Sequence, residues 1–373
     1  MPAEAFRRRV GAAAPASPAG GRPPAPLTGS ERAATAEALA AVQHESGFVP
    51  RSPGSIGDPW NHVECAMALA GAGRLVEADR AYRWCVETQA DDGSWPAELG
   101  PDGKGATARV DTNCVAYLAV GVLHRYHVTA DLSAARELFP AVDRALALVV
   151  GCQRAGGEVP WEIDAEGQLG RYALLSASSS IYQSLCAGVA LAALLGLERP
   201  AWLGASAGLR LAIGAFLSGA RSGFEPKDEF AMDWYYPVLA GVLDGEAATA
   251  RLSAGRAGFV VEGLGVRCRS DGRWVTTAES AECALAHGRA GERTEAATLL
   301  AWTRHQRQAD GGYLTGLVHP ERSEFPPSER TSYSAAAVLL AEDALAGGPA
   351  ATTFDWPPPG RCCGSPAPAG RAS

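Results

Sequence analysis

The chain has 373 residues, of which 47% are apolar and 20% are charged. This composition can bury a large core and excludes a chain that is disordered throughout. The formal net charge of −8 argues against a protein that binds nucleic acid or an anionic membrane, because both attract basic surfaces. We therefore expect a small-molecule substrate and no nucleic-acid partner.

The N-terminus and the cysteines bear on the cellular compartment. Arg7, Arg8 and Arg9 precede a stretch rich in Ala, Pro and Gly, and no continuous apolar segment follows as a secretory signal requires. Apolar runs such as 185–197 are too short for a membrane-spanning helix. The nine cysteines are an odd number scattered along the chain, unlike a disulfide framework. We expect a cytoplasmic protein without a transmembrane segment.

The two ends differ in composition from the middle of the chain. Both are rich in Pro and Ala and lack helical periodicity, which is typical of disordered segments. The sequence therefore predicts an N-terminal tail over 1–29, one folded domain over 30–347 and a C-terminal tail over 348–373.

Hydrophobic periodicity predicts about twelve helices between the tails. The predicted segments are 31–44, 59–72, 74–90, 110–127, 131–153, 178–196, 199–218, 231–244, 246–259, 276–289, 291–309 and 329–346.

The predicted helices alternate between two kinds. One kind is amphipathic: Leu75, Ala78 and Tyr82 share a face, whereas Arg74 and Glu77 lie on the other. The other kind, such as 114–123 and 186–195, is apolar nearly all round and has to be covered on every side. Alternation of half-covered and fully covered helices predicts two concentric layers, and hence an all-α (α/α)6 toroid of six helical hairpins.

A recurrent glycine turn after the amphipathic helices supports this arrangement. Its copies are separated by one helical hairpin and a variable loop, so the sequence repeats a structural unit. Six units can close a ring, and an open solenoid of helix pairs is the alternative. The turns are centred on Gly47, Gly93, Gly157, Gly223, Gly272 and Gly312.

One of these units carries a motif. In residues 81–95 an aromatic and apolar run leads to Gln89, then Gly93 and Trp95. This order resembles the QW repeat of squalene–hopene cyclases, and similar toroid repeats occur in protein prenyltransferase β-subunits. The resemblance implies an (α/α)6 toroid of the prenyltransferase and terpene-cyclase superfamily. It also implies a structural role for the glutamine, which can bond a free helix end, and for the tryptophan, which can stack on the next unit.

The reaction motifs of that superfamily are only partly present. Cyclases use an Asp-x-Asp-Asp motif at the start of an inner helix, and here the corresponding stretch has a single Asp111 between Val110 and Thr112. Protein prenyltransferases hold zinc with Asp, Cys and His, whereas Asp111 and Cys114 here lack a matching His. We expect no cofactor on this evidence; Mg or Zn stays possible without a clear ligand motif.

The inner helices of a toroid run in the same direction, so their N-termini meet at one mouth. Polar and aromatic residues are frequent at these positions, and such groups around a concavity are typical of a ligand site. We predict catalytic roles for Asp58, Asp111, Asp233 and Glu279. We predict substrate contacts from Trp60, His62, Glu64, Asn113, Trp234, Tyr235, Tyr236, Glu282 and Arg330.

Structural roles compete with these functional ones. Asp58 precedes Pro59 and is suited to cap a helix with proline at its first position. His62 and Glu64 can form a satisfied polar pair without catalysing anything. Arg330 follows Glu329 and can form an ion pair, or it can join Arg109 in holding a phosphate or carboxylate.

Two chemistries fit a mouth of carboxylates and aromatic rings. The resemblance favours an enzyme that acts on an isoprenoid, where aromatic faces stabilise a carbocation and a carboxylic acid donates a proton. The alternative is a carbohydrate-active enzyme, since (α/α)6 rings also host glycoside hydrolases with paired carboxylates. A non-catalytic binding protein on the same fold is a third possibility.

Overall fold

The computed structural model describes residues 27–220 and 223–355. The predicted tails therefore fall largely outside the described residues, which exclude 1–26 and 356–373. Helices dominate the described part of the chain. In chain order they are α1 (Gly29–Ala40), α2 (Pro59–Gly71), α3 (Leu75–Thr88), α4 (Thr112–Ala116), α5 (Leu118–Thr129), α6 (Leu132–Gly151), α7 (Leu175–Leu194), α8 (Pro200–Leu217), α9 (Ala231–Leu239), α10 (Gly245–Phe259), α11 (Thr277–Arg289), α12 (Arg293–Trp302), α13 (Ser332–Leu345) and α14 (Pro349–Phe354).

The helices form two layers. The inner helices α2, α5, α7, α9, α11 and α13 each contact the next one, and α13 contacts α2, so the inner layer closes on itself. Outer helices α1, α3, α6, α8, α10 and α12 pack outside them. The prediction of an (α/α)6 toroid is confirmed. Inner helices are buried on most sides, as in α7 from 177 to 188, which explains why their sequences lack a polar face.

Short strands, which we did not predict, lie in the loops that lead from an outer helix to the next inner helix. Strands β1 (Val110–Asp111) and β2 (Glu162–Ile163) pair with each other. The strands β3 (Val260–Val261), β4 (Gly265–Arg267), β5 (Trp274–Thr276), β6 (Gly316–Val318) and β7 (Ser323–Glu324) form one antiparallel sheet in chain order. All these loops lie at the end of the ring where the inner helices begin, so they build its mouth.

Several helix boundaries differ from the prediction by a few residues, and two differences change the elements themselves. The segment 110–127 is not one helix, because Asp111 caps the short α4 and a break at Tyr117 separates α4 from α5. The predicted C-terminal tail starts at 348, yet residues 349–354 form α14. Ala350 and Phe354 are buried there, and α14 packs against α5 and α13.

Two helices, α7 and α8, are long and apolar enough to cross a membrane by length and composition alone. In α7 the apolar window is 83% buried inside the ring, so its place as an inner helix accounts for its composition. In α8 the buried share is 33%, because an outer helix packs on one side only. Leu211 on α8 is exposed.

A recurrent joint connects neighbouring hairpins in the outer layer. Near the end of an outer helix, the side-chain amide of a glutamine donates both to the carbonyl of the following turn and to a carbonyl of the next outer helix. Gln89 donates to Gly93 and Ala141, each at 2.9 Å. Gln153 does the same to Gly157 and Ala205 at 2.8 Å. Gln43 contacts Gly47 and Glu77 in the same way. The glutamine thus has a structural role in three units, although its partners are a turn carbonyl and a carbonyl within the next outer helix rather than the predicted free helix end.

The glycine of this joint approaches the next helix closely. Gly47, Gly93, Gly157 and Gly311 have φ between +93° and +96°. A Cβ on any of them would overlap a backbone carbonyl of the next outer helix. Gly311 meets Ala34 of α1, so this contact closes the ring between the last hairpin and the first. The sixth turn is therefore centred on Gly311 rather than on the predicted Gly312.

A second joint connects hairpins in the inner layer at the mouth. A hydroxyl residue at the start of an inner helix donates its N–H and its Oγ to consecutive carbonyls beyond the next glycine turn. Thr112 bonds Trp161 and Pro160 in this way. Thr277 bonds Thr315 and Leu314. Ser332 bonds Arg51 and Pro50, which closes the ring on its inner side.

We expect the replacement of Gly93 by alanine to destabilise the fold more than the same change at Gly73. Both residues have a left-handed φ, of +94° and +81°, which costs a non-glycine residue about 1 kcal/mol or more. Only at Gly93 does the added Cβ also overlap the backbone, of Arg144, whereas nothing lies within 4 Å of it at Gly73. Urea unfolding should give a loss about 1–3 kcal/mol larger for Gly93→Ala. Equal losses would contradict the role of this contact.

Candidate active site at the mouth of the ring

The mouth holds a cavity of about 360 Å³, which we call the mouth cleft. It opens where the inner helices begin, as the topology predicts. Five carboxyl groups line it together with aromatic and apolar side chains: four lie at the starts of inner helices, and the fifth, that of Glu98, lies in a loop. Its lining consists of Arg51, Ile56, Gly57, Asp58, Trp60, Asn61, Ala97, Glu98, Arg109, Asp111, Cys114, Met232, Ala278, Glu279, Glu282 and Tyr333.

The four carboxyl groups at the helix starts occupy two walls of the cleft. Asp58 precedes α2 and Asp111 precedes α4, which leads into α5. Glu279 and Glu282 lie on the first turns of α11. In the order α2, α5, α7, α9, α11, α13, helices α5 and α11 are three positions apart in a ring of six. Asp111 therefore lies opposite the two glutamates, and Asp58 lies on the Asp111 side.

Asp58 and Asp111 are helix caps that also face the cleft. One oxygen of Asp58 accepts from the N–H of Asn61 at 2.8 Å and the other from its side-chain amide at 2.5 Å. Oδ1 of Asp111 accepts from the N–H groups of Asn113 and Cys114, at 2.9 and 3.1 Å. Burial raises the pKa of both, that of Asp111 to about 6, and the negative charge of Asp58 adds to the effect on Asp111. The caps predicted from sequence are present, and they do not withdraw these groups from the cleft.

Glu279 and Glu282 differ in their surroundings. Glu279 is half-buried and accepts a hydrogen bond from the hydroxyl of Thr276. Glu282 is only 8% exposed, and its Oε2 accepts a hydrogen bond from the phenol of Tyr235. Burial raises the pKa of Glu282 well above its usual range, and the negative charge of Glu64 raises it further. Both effects favour the protonated form of Glu282.

Glu64 lies beneath the cleft. It is 4% exposed and accepts a hydrogen bond at Oε1 from the hydroxyl of Tyr117 at 3.2 Å. Burial raises its pKa to about 7. The rings of Tyr117 and Tyr236 both contact Trp60, with centroid distances of 5.2 and 5.5 Å. Glu64, Tyr235 and Tyr236 were predicted to touch the substrate; they lie instead in the layer that supports the cleft floor.

His62 does not reach the cleft, although we predicted a substrate contact. Its Nδ1 accepts from the N–H of Val49 and its Nε2 donates to the carbonyl of Ala81, both at 3.0 Å. These two bonds fix the tautomer and use both ring nitrogens. The imidazole contacts the rings of Phe48 and Trp84. His62 therefore joins α2 to the outer layer.

Asp233 and Trp234 also do not line the mouth cleft, so the structure does not bring them together with Asp58, Asp111 and Glu279, and the roles predicted for them stay predictions. Oδ1 of Asp233 accepts from the N–H of Ser176 at 3.0 Å, at the start of α7. The indole of Trp234 donates to the carbonyl of Arg251. Both line a separate cavity between α7, α8, α9 and α10. The reason is helical spacing: Met232 lines the mouth cleft, and the next residues turn to the outer side of α9.

Arg330 and Asn113 likewise lie outside the cleft. Arg330 pairs with Asp310 in a separate groove of about 610 Å³ between α1 and α13. Arg109 does line the mouth cleft, where it bonds Glu162 at 3.2 Å and lies over the ring of Trp161. The two arginines therefore do not converge on one anion. Asn113 is buried behind the cleft wall.

Sequence reasoning missed several members of the cleft. Arg51 lies beyond the first glycine turn. Burial raises the pKa of Asp58, and the positive charge of Arg51 partly opposes this rise. Tyr333 lies in the first turn of α13. Asn61 follows Asp58 by three residues, the spacing at which a capping side chain meets its partner. This spacing was the signal from which its place beside Asp58 could have been predicted. No group of three or more His, Cys, Asp and Glu side chains within 27–220 and 223–355 is placed to hold a metal ion.

The closed ring and its carboxylate-lined cleft define an enzyme of the (α/α)6-toroid class. No protein-family model matches the sequence. Over 322 residues the chain is 42% identical to the MMP endo-(1,4)-3-O-methyl-alpha-D-mannosidase of Mycolicibacterium hassiacum, a match that covers 86% of this chain and 88% of that protein. The chain belongs to the family of that enzyme.

Solved structures share the fold at low sequence identity. A wild-type glycosidase superposes with a TM-score of 0.66 at 17% identity, covering 86% of this chain and 99% of that one. The cellobiose 2-epimerase of Spirochaeta thermophila gives a TM-score of 0.60 at 14% identity, covering 84% and 95%. These likenesses support the toroid fold.

The family corrects the first functional prediction. The relative is a mannosidase, so the resemblance to prenyltransferases and squalene–hopene cyclases misidentified the superfamily, and the isoprenoid interpretation is wrong. The QW-like pattern of Gln89 and Gly93 has a structural cause instead. It encodes the outer-layer joint, which any toroid of this shape can use.

We expect acid to destabilise the fold in part through His62. Burial lowers its pKa to about 4 from the ordinary 6.5. Between these values the unfolded chain binds a proton that the native protein does not, so the contribution of a neutral His62 is complete above pH 6.5 and declines as the pH falls to 4. In His62→Gln this decline, about 1.4 kcal/mol per pH unit at most, should be absent. Urea unfolding at pH 7 and pH 5 measures it, and parallel losses in both proteins would contradict the assignment.

Proposed function

We propose that this protein is a glycoside hydrolase that cleaves internal α-(1,4) bonds between mannose units, including 3-O-methylated ones. The relationship to the M. hassiacum mannosidase carries the proposal, because the identity is 42% over 86% of the chain. The opposed carboxyl groups of the mouth cleft support it independently, since glycoside hydrolysis requires two carboxyl groups on either side of the scissile bond.

Glu282 is suited to be the general acid. A general acid must hold a proton near neutral pH, and burial together with the charge of Glu64 raises the pKa of Glu282 well above its usual range. The phenol of Tyr235 bonds its Oε2, which orients the carboxyl group. The other oxygen is left for the oxygen of the glycosidic bond.

The opposite wall supplies the base. Asp111 accepts both of its backbone cap bonds at Oδ1, so its Oδ2 is not used by the cap. Asp58 lies on the same wall beside Arg51, whose charge favours the ionised form of Asp58. A carboxylate here accepts a proton from water as the water oxygen attacks the anomeric carbon.

The proposed step conserves atoms and charge. As the bond between the anomeric carbon and the bridging oxygen breaks, Glu282 gives its proton to that oxygen. Water forms the new bond to the anomeric carbon and loses a proton to the carboxylate of the Asp58 and Asp111 wall. Two shorter saccharides result, and proton exchange with solvent restores both groups.

The remaining lining suits a partly methylated sugar. Arg109, Asn61 and Glu98 offer hydrogen bonds to hydroxyl groups, whereas Met232 and Ile56 offer apolar contacts to a methyl ether.

We expect the purified protein to shorten α-(1,4)-linked, 3-O-methylated mannose oligosaccharides by internal cleavage. Mass spectrometry should show pairs of products that sum to the substrate plus one water, with several internal positions represented. Unmethylated α-(1,4)-mannose oligosaccharides form the comparison. Absence of cleavage with both substrates would contradict the proposal.

We expect Glu282→Gln to lower kcat/KM by about 10²–10⁴-fold, the usual worth of a general acid or base. At least one of the two variants Asp58→Asn and Asp111→Asn should show an equally large loss of kcat/KM. Asp233→Asn is the matched control, because Asp233 is a buried carboxyl group at the start of an inner helix that faces away from the cleft. Its activity should stay within a few-fold of wild type. The two-wall arrangement would be refuted if Asp233→Asn were as inactive as Glu282→Gln, or if Asp58→Asn and Asp111→Asn both kept their activity.

A further inference from the structure

Two aromatic side chains on the sheet at the mouth form a pair that the proposed mechanism does not use. The rings of Trp274 in β5 and of Phe325, which follows β7, lie edge to face with their centroids 5.5 Å apart. Phe325 is 49% exposed, and in the part of the chain that the structure describes it is the one aromatic side chain among the exposed large hydrophobic ones. We call the two rings the aromatic platform. Exposed aromatic surface of this kind is typical of a binding site.

Hydrogen bonds and close packing fix the orientation of the platform. The indole N–H of Trp274 donates to the carbonyl of Phe325 at 2.8 Å, and the N–H of Phe325 donates to the carbonyl of Gly316 at 3.0 Å. The indole lies directly over Gly316, because a Cβ at that residue would lie 2.3 Å from the indole nitrogen. The rings are thus held in place before any ligand arrives, which lowers the entropic cost of binding one.

The platform lies on the face of the sheet that meets the inner helices. Side chains alternate along a strand, so Trp274 and Thr276 of β5 point to one face and Val275 to the other. Val275 is fully buried in a small cluster with Leu317 on that other face. Trp274 therefore shares its face with Thr276 at the start of α11.

A series of contacts connects this face to the mouth cleft. Thr276 is paired in the sheet with Gly316, the residue that the indole of Trp274 covers. The hydroxyl of Thr276 donates to Glu279, and Glu279 lines the mouth cleft. The platform therefore adjoins the Glu279 wall of the cleft and extends it outward.

Other tryptophans of the mouth loops are used within the protein. Trp95 is 2% exposed, and its indole donates to the carbonyl of Cys85. The ring of Trp161 stacks on Tyr172 and lies beneath the guanidinium of Arg109. Packing accounts for these two rings, whereas it leaves half of the Phe325 side chain in solvent.

We propose that the aromatic platform binds a sugar ring of the same mannose chain, at a unit beyond those that lie between the two carboxyl walls. This inference rests on the proposed function. The C–H face of a sugar and its methyl ether are apolar and pack on aromatic rings. Two rings offer far less area than the roughly 800 Å² that each partner buries in a stable protein complex, so a sugar suits the platform better than a protein does.

The platform gives the enzyme a preference for long, methylated chains. Internal cleavage requires a chain that extends past the scissile bond on both sides, and the platform holds one of these extensions. A 3-O-methyl group enlarges the apolar surface that the rings cover, so its burial adds to the affinity. Binding at the platform is remote from the reacting bond and therefore acts mainly on KM.

The dependence of kcat/KM on chain length tests this inference. Phe325→Ala removes the exposed ring. We expect the ratio of kcat/KM for a long methylated oligosaccharide to that for the shortest cleaved one to fall by about 3–10-fold, the usual effect of one aromatic contact. A higher KM for the long chain should account for the loss. Phe325→Tyr keeps the ring and should restore most of the ratio.

A matched control comes from the outer layer. Leu211→Ala removes another exposed apolar side chain, 76% exposed on α8, and should leave the ratio as in wild type. A Phe325→Ala variant with the wild-type ratio would overturn the inference, and so would an equal fall in Leu211→Ala.

Fluorine NMR separates this inference from the proposed function. The nine tryptophans are labelled as 5-fluorotryptophan in the Glu282→Gln background, and Trp274→Phe and Trp60→Phe assign the signals of the platform and the cleft. A 3-O-methylated α-(1,4)-mannose oligosaccharide should shift both signals. A shift at Trp274 without hydrolysis by the wild-type protein would support the platform and refute the proposed function alone. Hydrolysis with a shift at Trp60 and none at Trp274 would overturn the platform and leave the proposed function in place.

Discussion

The ring depends on two kinds of joint that recur between neighbouring hairpins. In the outer layer a glutamine amide and a left-handed glycine bind the backbone of the following outer helix. In the inner layer a hydroxyl residue at a helix start bonds two carbonyls of the following hairpin. Between the last and first hairpins, the glycine contact of the outer joint recurs at Gly311 with Ala34, and the inner joint recurs at Ser332 with Pro50. The last and first hairpins are thus joined by contacts of the kinds that join other hairpins, and neither of them needs a separate capping element.

Closure also determines where chemistry can occur. Because all inner helices run in one direction, their starts and the joints that fix them surround one opening. Helix N-termini attract carboxylates, and Asp58 and Asp111 are caps for this reason. A cap uses some lone pairs of a carboxylate and leaves others for the cleft. Capping and catalysis are thus compatible in one residue, whereas Asp233 bonds the start of α7 on the outer side and belongs to the scaffold.

Much of the fold could be predicted from the sequence, because the burial of one or more helix faces imposes a clear periodicity on the apolar residues. All twelve helices of the two layers were found, and the alternation of amphipathic and apolar helices gave the layers. The strands were missed because each is two or three residues long, too short for a pattern of alternation. The helix at 349–354 was missed since its segment is rich in Pro, Ala and Gly.

The mouth of the ring could be predicted from the sequence, but which residues line its cleft could not. The topology predicted that Asp58, Asp111, Glu279 and Glu282 share one mouth, and all four line the cleft. On a short helix, a shift of one residue turns a side chain from the inner to the outer side of the ring. For this reason Met232 lines the cleft and Asp233 does not. His62 had two backbone partners from distant segments that no local pattern reveals. The family resemblance failed for a related reason, since the Gln and Gly pattern records how hairpins join and carries no information on the reaction.

The central claim is that a saccharide binds between the two carboxyl walls of the mouth cleft. A crystal structure of Glu282→Gln with a 3-O-methylated α-(1,4)-mannose oligosaccharide tests it most directly. The account predicts a glycosidic oxygen within hydrogen-bond distance of the residue 282 amide, with Asp58 or Asp111 on the far side of the same sugar ring. An oligosaccharide bound only in the groove beside Arg330, or in the cavity beside Asp233, would contradict it.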